Sequence, residues 1–137
     1  MMDNERLLGD TLVIAEDDDF IRKALVRFLG HRFGRILSSA SGSEALKLIQ
    51  LHKPAAAILD MMLPGMDGCE VLGALRKVPE SARLPVVMTS GMGAVGKDML
   101  AEGTERCLYI PKPFDFEQIE RGIEAMLEGA SGAPDSL

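Results

Sequence analysis

Cysteine is scarce in this chain of 137 residues, and basic clusters, membrane-length apolar runs and internal repeats are missing from it. The two cysteines, Cys69 and Cys107, lie far apart and make no CxxC pair. That excludes a disulfide framework, argues against a zinc site and points to free thiols in a reducing compartment. Lysines and arginines are scattered, and the net charge is −6, so neither nucleic acid nor an anionic membrane is an expected partner. No run reaches the roughly 18 apolar residues of a membrane span. The start, acidic at Asp3 and Glu5, has no apolar signal-peptide segment. These absences lead to the expectation of a cytoplasmic protein of one domain, with enough apolar residues for a core.

What is present is an alternation of short apolar runs with amphipathic helical patterns, the mark of a parallel α/β sheet. The runs are 11–15, a short 35–38, 55–59, 86–89 and 108–111, which predicts five strands and, between and after them, five helices. In the first helix Phe20, Leu25, Phe28 and Leu29 form the inward side, with Asp18 or Asp19 as its cap. Gly34 closes that unit. Ser41 and Glu44 read as a capping box opening a helix with Ala45, Leu48 and Ile49 inward, stopped by Pro54. The third helix carries Val71, Ala74, Leu75 and Val78, and the fourth, around Lys97–Glu102, is short and weakly patterned. Asp115 and Gln118 form a second box before an inward stripe of Phe116, Ile119, Ile123 and Leu127. Domain limits of 11–128 are expected, with flexible termini at 1–10 and 129–137.

Four of the apolar runs stop on residues able to handle a phosphoryl group: Glu16 and Asp17, Asp60, Ser90, and Lys112. In a parallel sheet the carboxyl ends of the strands share one edge, so these side chains converge. A carboxylate at Asp60 can attack phosphorus and become an aspartyl phosphate. Three neighbouring carboxylates need a hard cation, and Mg²⁺ suits one or two carboxylates together with water and phosphate oxygens. Lys112 supplies a point charge to a phosphoryl oxygen and Ser90 a hydrogen bond. Taken singly, the acidic run is a solvated helix start, Asp60 a turn residue and Lys112 ordinary loop chemistry. The joint pattern at four strand ends is what carries the reading.

The segments Val13–Asp18, Ile58–Gly68, Pro85–Ser90 and Tyr109–Phe114 make the chain resemble the receiver domain of bacterial two-component response regulators. The resemblance implies a three-layer, doubly wound, flavodoxin-like (βα)5 fold with strand order 2-1-3-4-5. It also implies Asp60 as phosphoacceptor from a sensor histidine kinase or phosphotransfer protein. Glu16, Asp17, Asp60 and the backbone carbonyl of Met62 would then hold Mg²⁺. Lys112 would anchor the phosphoryl group, Ser90 would be the switch hydroxyl, and Tyr109, the only tyrosine, the switch aromatic. The Lys112-Pro113 bond would be cis. Such a protein is a phosphoryl acceptor, not an enzyme, beyond slow self-phosphorylation and autodephosphorylation. Its output would pass to a protein target through the face of the fourth helix, fifth strand and fifth helix, or through a homodimer, on the expectation that no output domain follows the last helix.

Three departures qualify that resemblance. Glu16 stands where aspartate is commoner. Met62 and Met92, two residues past Asp60 and Ser90, are apolar where many receivers are polar, and are expected to hinder the attacking water and lengthen the phosphoryl lifetime. Gly91, Gly93 and Gly96 make the loop after Ser90 permissive and poorly ordered without phosphate. The same loop matches GxGxxG, but a dinucleotide site needs that motif after the first strand with an acid about 20 residues onward. The stronger rival is a phosphohydrolase with an aspartyl nucleophile, which would require a second acid where Met62 stands. His31 and His52 read as ordinary helix-end or surface histidines.

Overall fold

The computed structural model describes residues 6–93, 96 and 106–131. Its strands are β1 (Gly9–Ala15), β2 (Phe33–Ser39), β3 (Ala56–Asp60), β4 (Val86–Ser90) and β5 (Cys107–Pro111), paired in parallel in the order β2-β1-β3-β4-β5. The described helices are α1 (Asp19–Leu29), α2 (Gly42–His52), α3 (Gly68–Arg76) and α4 (Phe116–Ser131). The helix expected around 97–102 and part of the glycine-rich loop before it lie outside the described residues, so α4 is the fifth helix of the sequence reading. Among the described residues no helix is long and apolar enough to cross a membrane.

The strands read as unbroken apolar runs because both sheet faces are covered. Side chains alternate between faces, so Val13, Ala57 and Met88 join the core under α2 and α3, while Leu12, Ile58 and Val87 join the one under α1 and α4. Three layers result. The chain winds outward from β1 to β2, then returns to β3 on the other side of β1. The crevice at that reversal opens at the carboxyl ends of β1 and β3, directly after Ala15 and at Asp60.

Local chemistry sets the helix starts. Asp18 caps α1, its side chain accepting from the Ile21 N–H. Ser41 caps α2 by accepting from the Glu44 N–H, but Glu44 does not close the expected box: its carboxylate accepts from Ser39 Oγ at 2.8 Å, and that hydroxyl accepts from the Ser41 N–H. The complete capping box is at α3, where Asp67 and Glu70 exchange bonds. At α4 the Gln118 half forms, accepting from the Asp115 N–H at 3.2 Å.

Several expected positions are corrected. Phe20 does not face inward; it is 81% exposed, and the buried side of α1 is Leu25 and Leu29. Gly34 lies inside β2, which begins at Phe33. Val78 is exposed because α3 ends at Arg76, and Leu72 is buried in its stead. The first strand begins before Thr11, at Gly9, and α4 runs past Gly129 to Ser131. Arg32 is fully buried, ion-paired with Glu120 and donating to the Arg6 carbonyl, so it fastens α4 to the start of the chain.

Candidate functional site

Parallel register brings the five named side chains to one edge. Asp60 is the last residue of β3 and pairs with Thr89; Ser90 is the last of β4, and its carbonyl accepts from the Lys112 N–H at 2.7 Å. Glu16 follows β1 and stays tied to the sheet through its N–H to the Ser39 carbonyl at 3.0 Å. The carboxylates of Glu16, Asp17 and Asp60 offer oxygens all within 4.8 Å of one another. Glu16 and Asp60 are buried and Asp17 is exposed.

Lys112 bridges the two buried carboxylates, with Nζ 2.9 Å from Asp60 Oδ2 and 3.0 Å from Glu16 Oε1. The other oxygens are also held: Asp60 Oδ1 accepts from the Met62 N–H and Glu16 Oε2 from the Asp18 N–H, both at 3.0 Å. Lys112 follows β5 and precedes Pro113 through a cis peptide bond, as the resemblance implied. Burial works against its charge, but the hydrogen bonds to Asp60 and Glu16 and the negative charge of both together outweigh it and raise its pKa. Burial pushes the Glu16 carboxyl up, and Asp60 adds to this, against the lowering bonds from Asp18 and Lys112.

The hydroxyl of Ser90 is fully buried and accepts from the Met92 N–H at 2.9 Å. The hydroxyl of Tyr109, half-buried on β5, donates to the Gly93 carbonyl at 2.7 Å. Gly96 packs beneath both: a Cβ there would stand 2.4 Å from the Tyr109 hydroxyl and 3.1 Å from Ser90 Oγ. Glycine in this loop therefore serves close approach as well as freedom. Met62 is 60% exposed and Met92 36%. Burial pushes the Cys107 thiol up to about 11 and raises that of Cys69, so neither is poised as a thiolate ligand.

The shift of Glu16 has a consequence for stability. The folded chain keeps a proton on this carboxyl to higher pH than the unfolded chain, whose value is the ordinary 4.5. That contribution is present below 4.5 and is lost as pH rises through the raised folded value. Glu16→Gln keeps the shape without the charge. Above that window, in the absence of divalent cations, it is expected to be more stable than wild type and to show a flatter pH dependence. Urea midpoints from acid to pH 8 check this, and an unchanged slope would overturn it.

A doubly wound α/β domain whose reversal crevice holds three carboxylates and a lysine is built for phosphate or metal chemistry. The response regulator receiver domain model matches residues 12–124, and the chain belongs to that family. It is 33% identical over 122 residues to the transcriptional regulatory protein AfsQ1 of Streptomyces coelicolor, an alignment covering 85% of this chain and 51% of AfsQ1. The chain thus spans about half the length of the curated relatives it matches. Among solved structures, a DNA-binding response regulator of the LuxR family from Staphylococcus aureus superposes with a TM-score of 0.77 at 28% identity, covering 86% of this chain and 98% of that one. The receiver domain of the sensor histidine kinase PA1611 from Pseudomonas aeruginosa, solved with a magnesium ion coordinated in its active-site cleft, superposes with a TM-score of 0.74 at 21% identity, covering 88% and 98%.

Proposed function

We propose that the chain is the phosphoacceptor of a two-component relay, phosphorylated on Asp60 by a sensor histidine kinase or a phosphotransfer protein. The observation that carries this reading is Asp60 itself, at a strand end, held between the Lys112 ammonium and the Met62 N–H with two further carboxylates beside it. The donor set of Glu16, Asp17 and Asp60, oxygen-only and partly open at Asp17, fits Mg²⁺, with the Met62 carbonyl as a fourth protein oxygen. A bound magnesium ion supplies charge neutralisation between the attacking carboxylate and the phosphoryl oxygens.

The chain's own residues supply the rest. Asp60 attacks phosphorus in line as the bond to the donor breaks, and the Met62 N–H keeps the carboxylate oriented. Lys112 exchanges one Asp60 oxygen for a phosphoryl oxygen, a movement of a flexible chain anchored at its backbone by Ser90. Ser90 Oγ turns from the Met92 N–H to the phosphoryl group and Tyr109 releases the Gly93 carbonyl to follow it, which converts charge at Asp60 into a change of surface near β5. The output partner then reads the face of the helix expected around 97–102, β5 and α4, directly or as a homodimer, in the cytoplasm. The test is phosphotransfer from candidate histidine kinases and from acetyl phosphate, with Asp60→Asn as control. Labelling of wild type in Mg²⁺ and none of the variant is expected; no labelling by any donor would overturn the reading.

No carboxylate stands at Met62 to activate water, and the partly exposed Met92, two residues past Ser90, offers none either, so the aspartyl phosphate is expected to be long-lived. Met92→Glu should shorten its half-life about tenfold by admitting and orienting water. Decay of labelled protein measures it, and equal or slower decay in the variant would sink the idea.

A further inference from the structure

We propose that Arg22 is a positioning residue for the acidic pair, fixing the β1–α1 turn so that Glu16 and Asp17 face Asp60. This rests on the metal reading above. Its observation is a clamp that phosphoryl or metal chemistry does not itself require. Glu16 lies one residue past the end of β1, so its carbonyl has left the sheet. Arg22 Nη1 donates to that carbonyl at 2.9 Å, and Nη2 donates to Asp19 Oδ1 at 2.5 Å. The guanidinium is thus shared between the strand end and the first turn of α1, and its side chain is only 16% exposed.

The turn is gripped from the other side as well, by the Glu16 N–H on the Ser39 carbonyl and the Asp18 N–H on Glu16 Oε2. Of the two acids, Asp17 is the exposed one, and its position follows from the peptide groups on either side. The two acceptors take two different nitrogens of the guanidinium, a rigid fork that the single ammonium of a lysine does not reproduce.

Charge and position make opposite demands, which gives the proposal a sign. Arg22 is a cation beside a cation site, so by Coulomb's law its removal should tighten Mg²⁺ binding. If Arg22 positions the turn, its removal weakens binding instead, by about tenfold, as for other outer-shell partners of ligands. The experiment is calorimetric titration of Mg²⁺ into wild type, Arg22→Met, Arg22→Lys, Arg27→Met and Asp17→Asn, with hydrogen exchange of the Asp18 amide followed in the metal-free proteins. Both Arg22 variants should bind about tenfold more weakly and exchange Asp18 faster, while Arg27→Met, the same charge lost from the exposed far end of α1, binds as wild type does or more tightly. Arg22→Met binding as tightly as wild type, or Arg27→Met weakening it equally, overturns the proposal. Wild type that binds no Mg²⁺, or Asp17→Asn that binds it normally, overturns the metal reading and this inference with it.

Discussion

Lys112→Met is expected to lower phosphotransfer to Asp60 by at least about 100-fold while tightening Mg²⁺ binding, a separation of two quantities that usually fall together. The ammonium lies 2.9 Å from Asp60 and 3.0 Å from Glu16. Before phosphoryl transfer it competes with a divalent cation for the same carboxylates, so its removal frees them for metal. During transfer it is the group placed to take a phosphoryl oxygen, and a neutral methionine takes none. Its pKa is raised in the folded chain, so it carries full charge throughout the physiological range.

The same substitution strands two buried carboxylates without a counter-charge. Removing one partner of a buried pair costs about 3–5 kcal/mol, and partial exposure of Lys112 brings the expected loss nearer 2 kcal/mol. Saturating Mg²⁺ should restore most of it, because the cation occupies the role the ammonium vacated. Phosphorylation within tenfold of wild type, or Mg²⁺ binding no tighter, would show that the lysine acts elsewhere.

The site is legible in the sequence because strand ends are. A parallel sheet sends every carboxyl terminus to one edge, so Glu16, Asp17, Asp60, Ser90 and Lys112 can be placed together from apolar runs alone, and the structure brings them there. Helix faces are less secure. Phe20 stands roughly 140° around a helix from Leu25, given 100° per residue, and belongs to the exposed side on periodicity alone. Its apolar character suggests the core, but its phase excludes it. Val78 is misplaced although Pro79 marks the stop: the residue before a proline is turned away from helical backbone, and α3 has already ended at Arg76. The bonds that hold the site in shape have no sequence signal. Arg22 meets a carbonyl, which every residue has, and Arg32 meets Glu120 at a separation of 88 residues. The Asp67–Glu70 box does have one, an acid three residues before glutamate, hidden behind the proline and glycines of the loop.

Two glycines of α3 should respond to alanine in opposite directions, and the contrast tests how the phosphoacceptor is seated. Gly68 opens the helix directly under the end of β3. A Cβ there would stand 2.3 Å from the Asp60 carbonyl oxygen and 2.9 Å from both the Asp60 carbonyl carbon and Met61 Cα. All three are backbone, so no rotamer change relieves the clash. The Gly68 N–H, bonded to the Met61 carbonyl at 3.1 Å, is drawn toward the same strand end and cannot retreat freely. Gly68→Ala should therefore cost about 3 kcal/mol, roughly 10 °C in Tm. It should also slow phosphorylation of the folded fraction by about 100-fold, since the atoms displaced are those of Asp60 itself. At Gly73, farther along the same helix, an added Cβ would meet nothing within 4 Å. Gly73→Ala should stabilise by about 0.5–1 kcal/mol through helix propensity and leave phosphorylation unchanged. Thermal melts and initial labelling rates of the two variants decide the matter. If Gly68→Ala melts and labels like Gly73→Ala, the close approach of α3 to the phosphoacceptor strand is not what holds Asp60 in place.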